Sequence, residues 1–408
     1  MAIVRPFSAW FPPAALASAI ASVPYDVVNS DEARALAEGN PKSFLHVIRP
    51  EIDLPMGTDL YSDPVYAKAA DNLASWLAET PYAQGEQPKL LVYRLIRNGK
   101  TQVGVVGVCS VDEYDQGLIA IHERTRQSKE DDRTRHVVTM RCQAEPIFLA
   151  YRRNDAVSSL VRETTEGSVP LYDFVADDGV KHTVWGVTNS DALAAAFEDV
   201  PMLYVADGHH RAKSASRARE ALAADNPRHT GSEPYNFVMS VVFPDDQLAI
   251  LPYNRVVTDL RGVPVAEAMA ALSQVASLTP LSPDESRQPP RRGTFCVYGE
   301  GQWYSMALEP TGSAVIDCLD VSLLQGQVLG PVFGITDPRT DPGIDFVGGA
   351  RGTDELQRRA DASGGVAFSM FATSLEELFA VADSGEIMPP KSTWFEPKLR
   401  SGLFVHRI

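Results

Sequence analysis

The sequence predicts a mixed α/β protein of the α+β kind, and three features carry that prediction. Apolar runs of strand length alternate with segments whose apolar residues recur at helical spacing. Two strand pairs are joined by tight-turn sequences, Asn98-Gly99 and Asp177-Asp178-Gly179, made of residue types that accept a hairpin backbone. Between Met202 and Arg217, MLYVADGHHRAKSASR, an apolar strand passes without a spacer into a turn and a helix start. With 408 residues, 44% hydrophobic and 22% charged, the chain has ordinary globular composition and the length for two or three domains. The expected division is an N-terminal α+β segment over 1–85, a core over 86–260 and a C-terminal α+β domain over 261–408.

The elements follow in order. Prolines among short apolar stretches suggest strands and turns around a small helix at Pro13 to Ala21. Asn29 to Gly39 has a Ser or Asp cap, helix formers and a glycine stop. Asn40 to Glu51, NPKSFLHVIRPE, intersperses Ser43, His46, Arg49 and Glu51 with apolar residues and is expected as a strand. Val65 to Glu79 is helical by periodicity, and Leu90 to Ile96 and Thr101 to Ser110 form the first hairpin. A strand end at Ile119 leads to a charged helix from Ser128. Its Glu130, Asp131, Arg133 and Arg135 are expected on a solvated face.

Beyond it come a strand at Ala144 to Tyr151, a helix at Asp155 to Glu163, the hairpin of Leu171 to Phe174 with Lys181 to Val187, and a helix at Ser190 to Phe197. Asn236 to Phe243 is apolar enough for a buried strand, and Leu248 to Val257 is a second apolar run broken by Asn254 and Arg255. A helix from Val263 precedes an exposed Pro-, Ser- and Arg-rich connection. Thr294 to Leu308 is a hairpin, Val321 to Leu329 a helix, and Asp337 to Gly352 a multi-turn loop.

Composition excludes several function classes. A net charge of −16 argues against a duplex nucleic-acid binder, which needs clustered positive charge. Cys109, Cys142, Cys296 and Cys318 are far apart with no CxxC pair, so neither a zinc knuckle nor a disulfide framework is indicated. The start MAIVRPFSAWFPP lacks the basic and apolar regions of a signal peptide, and no apolar run reaches the length of a membrane span. The expectation is a soluble cytoplasmic protein with reduced thiols and a small-molecule substrate; a homo-oligomer is compatible with it.

Three polar constellations stand where strands end. In the first, Asp207, Gly208, His209, His210 and Arg211 meet a helix N-terminus, whose unpaired N–H groups and dipole favour an anion. Asp207 is suited to cap the helix or hold a metal, Gly208 to admit a ligand, Arg211 to grip phosphate, and the histidines to move protons. In the second, His122, Glu123 and Arg126 leave a strand; a carboxylate there can serve as a general base with arginine as its counter-charge. Surface pairing explains this cluster equally well. In the third, Met388 to Arg400, two prolines precede Lys391, Ser392 and Thr393, a charge and two hydroxyls able to contact phosphate, with Lys398 and Arg400 behind them. Asn254 and Arg255 are further candidates for substrate binding.

In order, VPYDVV, NPKSFLHVIRPE, HERT, ADGHHR, LPYNRVV, DFVGG and MPPKSTWFEPK resemble segments of the family catalogued as domain of unknown function 1015, with Val23 where that family has proline. The resemblance runs nearly end to end. DGHHR is also similar to the GxxR-type phosphate-binding turn of the ParB/sulfiredoxin fold, which includes free-serine kinases using ADP or ATP. This likeness implies a ParB/sulfiredoxin-like core with N- and C-terminal elaborations, nucleotide phosphates on Asp207 to Arg211, and Glu123 accepting the hydroxyl proton. The expected activity is phosphoryl transfer from ATP or ADP, with Mg2+ on Asp207, to a small hydroxylated metabolite such as serine. The alternatives are a phosphomonoester phosphatase and a non-catalytic nucleotide-sensing regulator.

Overall fold

The computed structural model describes residues 2–79, 83–84 and 87–408, the side chains of 83–84 excepted. Its contacts divide the chain into two units. One comprises Met1–Ile121, Thr125–Leu248 and Pro397–Ile408, the other His122–Arg124 and Ala249–Glu396. The expected segments 1–85 and 86–260 therefore do not stand apart: they contribute to one sheet, and 249–260 goes with the C-terminal unit.

The first unit is built on nine strands: β1 (Val4–Arg5), β2 (Leu91–Arg97), β3 (Lys100–Ser110), β4 (Ile119–Ala120), β5 (Ile147–Tyr151), β6 (Tyr172–Val175), β7 (Lys181–Gly186), β8 (Leu203–Asp207) and β9 (Phe237–Pro244). Their order is β4-β8-β5-β9-β3-β2-β7-β6, with β1 pairing β3. The sheet is mixed: β4/β8 and β5/β9 are parallel and the other pairs antiparallel. The β2–β3 turn takes φ of 50° at Asn98 and 75° at Gly99, the two positive values that suit the right-handed strand twist. One buried apolar cluster joins Val92, Val105, Leu149, Val205 and Val242 of the sheet to Leu193 and Phe197 of a flanking helix.

The first unit's principal helices are α1 (Ser30–Ala37), α2 (Asp63–Glu79), α3 (Gln127–Met140), α4 (Asp155–Gly167), α5 (Ser190–Phe197) and α6 (His209–Ala224). Asn29, and not the expected Ser or Asp, caps α1: its side chain accepts from the Asp31 and Glu32 N–H groups while Glu32 reaches back. NPKSFLHVIRPE is a helical turn (Leu45–Ile48) followed by a 3-10 turn (Pro50–Asp53), which overturns the strand expectation. Phe44, Leu45, Val47 and Ile48 are all buried, and the spacing i, i+1, i+3, i+4 puts them on one side of a helical turn. The polar residues between them are satisfied locally. Ser43 bonds to Ser22, His46 to Asp53, and Arg49 to Glu51.

Helix α3 keeps Asp131 and Arg135 on the expected solvated face but not Glu130 and Arg133. It packs on both α2 and α6, so Glu130, Asp132 and Arg133 are buried. Asp132 takes a bond from Tyr66 Oη at 2.9 Å and one from Arg133 Nε at 2.9 Å, and the Arg133 guanidinium lies 4.3 Å from the Tyr25 ring centre. Charge patterning alone cannot tell a face covered by two helices from one facing water.

The second unit has a six-stranded antiparallel sheet of β10 (Tyr253–Val257), β11 (Thr279–Pro280), β12 (Thr294–Gly299), β13 (Gln302–Ala307), β14 (Ile344–Gly348) and β15 (Val366–Ser369), ordered β11-β13-β12-β15-β10-β14. Helix α7 (Gly352–Ser363) covers it through Leu356 and Ala360, which join Val256, Val347 and Ala367 in one cluster. The region expected as a multi-turn loop thus contains β14. Its partner β10 supplies the ladder bonds that five residues among turn formers could not promise by themselves. Among the described residues no helix is long and apolar enough to cross a membrane.

Candidate functional site

Strand β8 ends in a bulge: Val205 faces Leu149 and Asp207 faces Phe148, leaving Ala206 as the extra residue. Gly208 follows as the N-cap of α6 with φ +94°, ψ 30°, a left-handed conformation in which a side chain is strained. A Cβ at Gly208 would lie 3.1 Å from the Arg211 guanidinium carbon, so glycine also makes the room that Arg211 occupies.

Asp207 does not cap the helix. It precedes the N-cap, and its Oδ1 accepts from the Gly208 N–H at 3.0 Å, while Lys398 Nζ donates to Oδ2 at 2.9 Å. The pair is largely enclosed, with side-chain exposures of 25% for Asp207 and 15% for Lys398. Burial pushes the Asp207 carboxyl up, but the Lys398 ammonium and Arg211 more than reverse this and hold it well below the usual carboxylate range. Asp207 is therefore an anion with both oxygens engaged.

That arrangement leaves the start of α6 unusually positive. Among the described residues no side chain caps it, its first turn holds no acidic residue, and His209, His210 and Arg211 stand there. Basic groups at the positive end of a helix are unfavourable unless anions offset them. Arg211 donates to the Pro146 carbonyl, and its guanidinium feels Glu145, Asp26, Asp207 and Tyr25, which raise its pKa against the effect of burial. Its Nε is buried without an acceptor among the described residues. His210 Nε2 accepts from the Arg126 backbone N–H at 3.1 Å, so it is the unprotonated nitrogen of that ring.

Behind Arg211 lies a set of residues that the charge pattern of the sequence does not single out. Glu145 Oε1 accepts from the Tyr25 N–H and from Ser401 Oγ, both at 3.1 Å. Burial raises the Glu145 pKa despite Arg211 and Arg133. A cavity of ≈30 Å³ lies among Arg133, His136, Gln143, Glu145, Arg211 and Ser214. VPYDVV supplies Tyr25 and Asp26, so the one available signal was that motif. Lys398 was legible only as a cation in a basic tail; its pairing with Asp207 is long-range.

The remaining candidates belong to the second unit. His122 is buried at 1% exposure; its carbonyl accepts from the Met388 N–H at 2.8 Å and its Nε2 lies 3.3 Å from Thr393 Oγ1. Arg255 interacts electrostatically with Glu123, and burial pulls the Arg255 guanidinium down to about 10. Arg255 donates to the Tyr253 carbonyl, and to the Pro390 carbonyl at 3.4 Å. Lys391 takes φ +59° and holds Nζ 5.4 Å from the Tyr253 ring centre. Ser392 Oγ donates to the Pro389 carbonyl at 2.6 Å, and Asn254 Oδ1 accepts from the Met370 N–H at 2.9 Å. Ser392 and Asn254 are each 2% exposed, so these bonds hold the backbone of their own unit. The second unit thus brings His122, Glu123, Arg255 and the Lys391–Thr393 turn into one group, as the first unit brings Asp207 to Arg211, Arg126 and Lys398.

The chain is a mixed α/β protein with a strand–turn–helix at β8–α6 whose helix has no acidic residue in its first turn. It belongs to the family described as protein of unknown function (DUF1015), whose model matches residues 4–322. No curated protein matches it. Among solved structures the chain is similar to a free serine kinase in complex with AMP, at 15% identity over 71% of this chain and 86% of that one, with a TM-score of 0.37. It is also similar to a conserved hypothetical protein from Pyrococcus furiosus (14% identity, 72% and 93% covered, TM-score 0.37) and to SbnI with a C-terminal truncation from Staphylococcus aureus (15%, 72% and 85%, TM-score 0.36).

Proposed function

We propose that the chain is a phosphotransferase that moves a phosphoryl group from ATP or ADP to the hydroxyl of a small metabolite of the serine type. The observation that carries this reading is the start of α6, which among the described residues has no side-chain cap and no first-turn carboxylate but has Arg211 against Gly208. Three backbone N–H groups, the helix dipole and a guanidinium suit a phosphate at that place. In this reading the first unit is a ParB/sulfiredoxin-like core and the protein works in the cytoplasm.

The reaction needs little from the protein beyond positioning, charge neutralisation and a proton acceptor. The substrate hydroxyl oxygen forms the new bond to phosphorus, its proton passes to the Glu123 carboxylate, and the bond to the nucleotide oxygen breaks with its electron pair leaving on the nucleotide. Arg211 and the α6 N–H groups offset the phosphate charge, His209 and His210 hydrogen-bond to it, and Lys391 and Thr393 give further phosphate contacts, whereas the buried Ser392 hydroxyl is taken by the Pro389 carbonyl. His122, Arg126 and Arg255 serve the substrate, while Asn254 holds the Met370 backbone. The donor set does not fit Mg2+ on Asp207, since Lys398 and the Gly208 N–H engage its two oxygens.

Phosphorus NMR tests the reading. The full chain is incubated with magnesium and ATP or ADP, with and without serine, beside a sample holding phosphoserine alone. A new phosphomonoester signal that needs both nucleotide and serine is expected. Phosphate release from phosphoserine alone would replace this reading with a phosphatase, and saturable nucleotide binding without turnover on a panel of hydroxylated acceptors would replace it with a sensor. Glu123→Ala is expected to lower turnover at least a hundredfold while nucleotide affinity stays within about threefold; unchanged turnover removes Glu123 from the mechanism.

A further inference from the structure

The first unit holds a second cavity, of ≈150 Å³, that shares no residue with Asp207 to Arg211 or with Arg126. Its volume is about ten times the space that a single water needs in a cavity. That admits a small metabolite. The lining combines Ser22, Leu36, Asn40, Asp177, Asp178 and Arg400.

Arg400 is built into this wall. It is 5% exposed; its Nε donates to His182 Nε2 at 3.2 Å and its Nη2 to Asp178 Oδ2 at 2.5 Å. The acceptor role of Nε2 places the His182 proton on Nδ1, which then donates to Tyr93 Oη at 2.7 Å. His182 and Tyr93 are both 0% exposed, so the guanidinium is anchored from behind by a chain with no access to water. Among the described residues these are the bonds the Arg400 guanidinium makes, which leaves its Nη1 edge for an acceptor.

The other features of the lining give the acceptor's chemistry. Asp177 is exposed and pairs with no cation among the described residues. Asp178 already faces Arg400, so the lining has one positive group with an open donor edge and one carboxylate in want of a cation. Leu36, 56% exposed, and the partly exposed Val23 supply an apolar wall. Ser22 and Asn40 are engaged with backbone and do not compete for a charged ligand: Ser22 Oγ donates to the Ile20 carbonyl, and Asn40 Nδ2 to the Ala19 carbonyl at 2.7 Å.

We infer that this cavity binds a free α-amino acid with a short aliphatic side chain, its carboxylate on Arg400 Nη1 and its ammonium on Asp177. The site goes beyond the phosphotransferase reading and uses none of its residues.

The test is calorimetric titration of the full chain with L-alanine and L-valine. Neither carries a hydroxyl, so neither can be the phosphate acceptor, and the result is independent of turnover. Propionate and ethylamine serve as the two half-ligands. Saturable binding of at least one amino acid, at least tenfold tighter than either half-ligand and weakened at least tenfold by Asp177→Asn, supports the inference. Arg400→Met should abolish binding; because that change removes a buried anchor, the deciding variant is Asp177→Asn at the exposed rim, with its fold checked by circular dichroism. Absence of binding by both amino acids, equal affinity for a half-ligand, or full affinity in folded Asp177→Asn overturns it.

Discussion

At the scale of single residues, the pair Asp207–Lys398 anchors the turn between β8 and α6. Two partners that are both mostly enclosed gain from each other what they lose in hydration, and removing one leaves the other stranded. Lys398→Met is therefore expected to destabilise the first unit by about 1–3 kcal/mol, somewhat below the cost for a fully buried pair because both groups retain some exposure. The double variant Asp207→Asn/Lys398→Met should recover part of that loss in urea denaturation, and a double variant no better than the single would mean the pair is not coupled. Glu145 behaves oppositely to Asp207. Its folded pKa is raised by burial, so its contribution to stability is greatest below its unfolded value and declines as pH rises through the folded one. Glu145→Gln should flatten the fall in stability above about pH 4.5, which denaturation midpoints across pH 4 to 7 would reveal.

At the scale of elements, the junction of β8 and α6 depends on one backbone conformation. Gly208→Ala forces a side chain into φ +94° and against the Arg211 guanidinium, and about 1–3 kcal/mol is the expected cost. Nucleotide affinity should fall at least tenfold with it, since Arg211 is displaced; affinity unchanged in a folded Gly208→Ala protein would separate Arg211 from phosphate binding. The cap of α1 is a simpler case. Asn29→Ala removes acceptors for two helix N–H groups and should lower stability by about 1 kcal/mol with no effect on binding. Elements with local signals were legible: the Asn98-Gly99 hairpin, the helix at Ser190–Phe197, and the strand and helix around DGHHR fall where residue types and spacing put them. NPKSFLHVIRPE departs from its expected strand because an apolar cluster of four residues fits a strand and a helical turn about equally, and burial on one side decides between them.

At the scale of the whole molecule, the distribution of histidine sets the response to acid. Burial pushes His136 and His182 down to about 3, each with a nearby arginine adding to the effect, and His406 down to about 4. All three stay neutral when folded and take up a proton near 6.5 when unfolded, so their contribution is intact above that value and is lost progressively as pH falls toward 3 to 4. They all belong to the first unit, whereas the second contains only His122 of the 8 histidines. Hydrogen exchange between pH 7 and 4 should therefore show amides of β2, β3 and β9 losing protection before those of β10, β12 and β15. The reverse order would contradict this assignment.

The sequence by itself determined the mixed α/β class, the hairpins, the strand–turn–helix at Met202–Arg217 and the family, because each rests on the order and spacing of residues close together in the chain. It also marked Asp207, Gly208 and Arg211 as a place for an anion. Only tertiary structure decided what surrounds them. Asp207 bonds to Lys398, 191 residues away. The Ser401 hydroxyl bonds to Glu145 across 256 positions, and Arg133 leaves its supposed solvated face for the Tyr25 ring. Electrostatic pairing and burial depend on distance in space, and a chain of charged residues carries no local mark of which side other helices will cover.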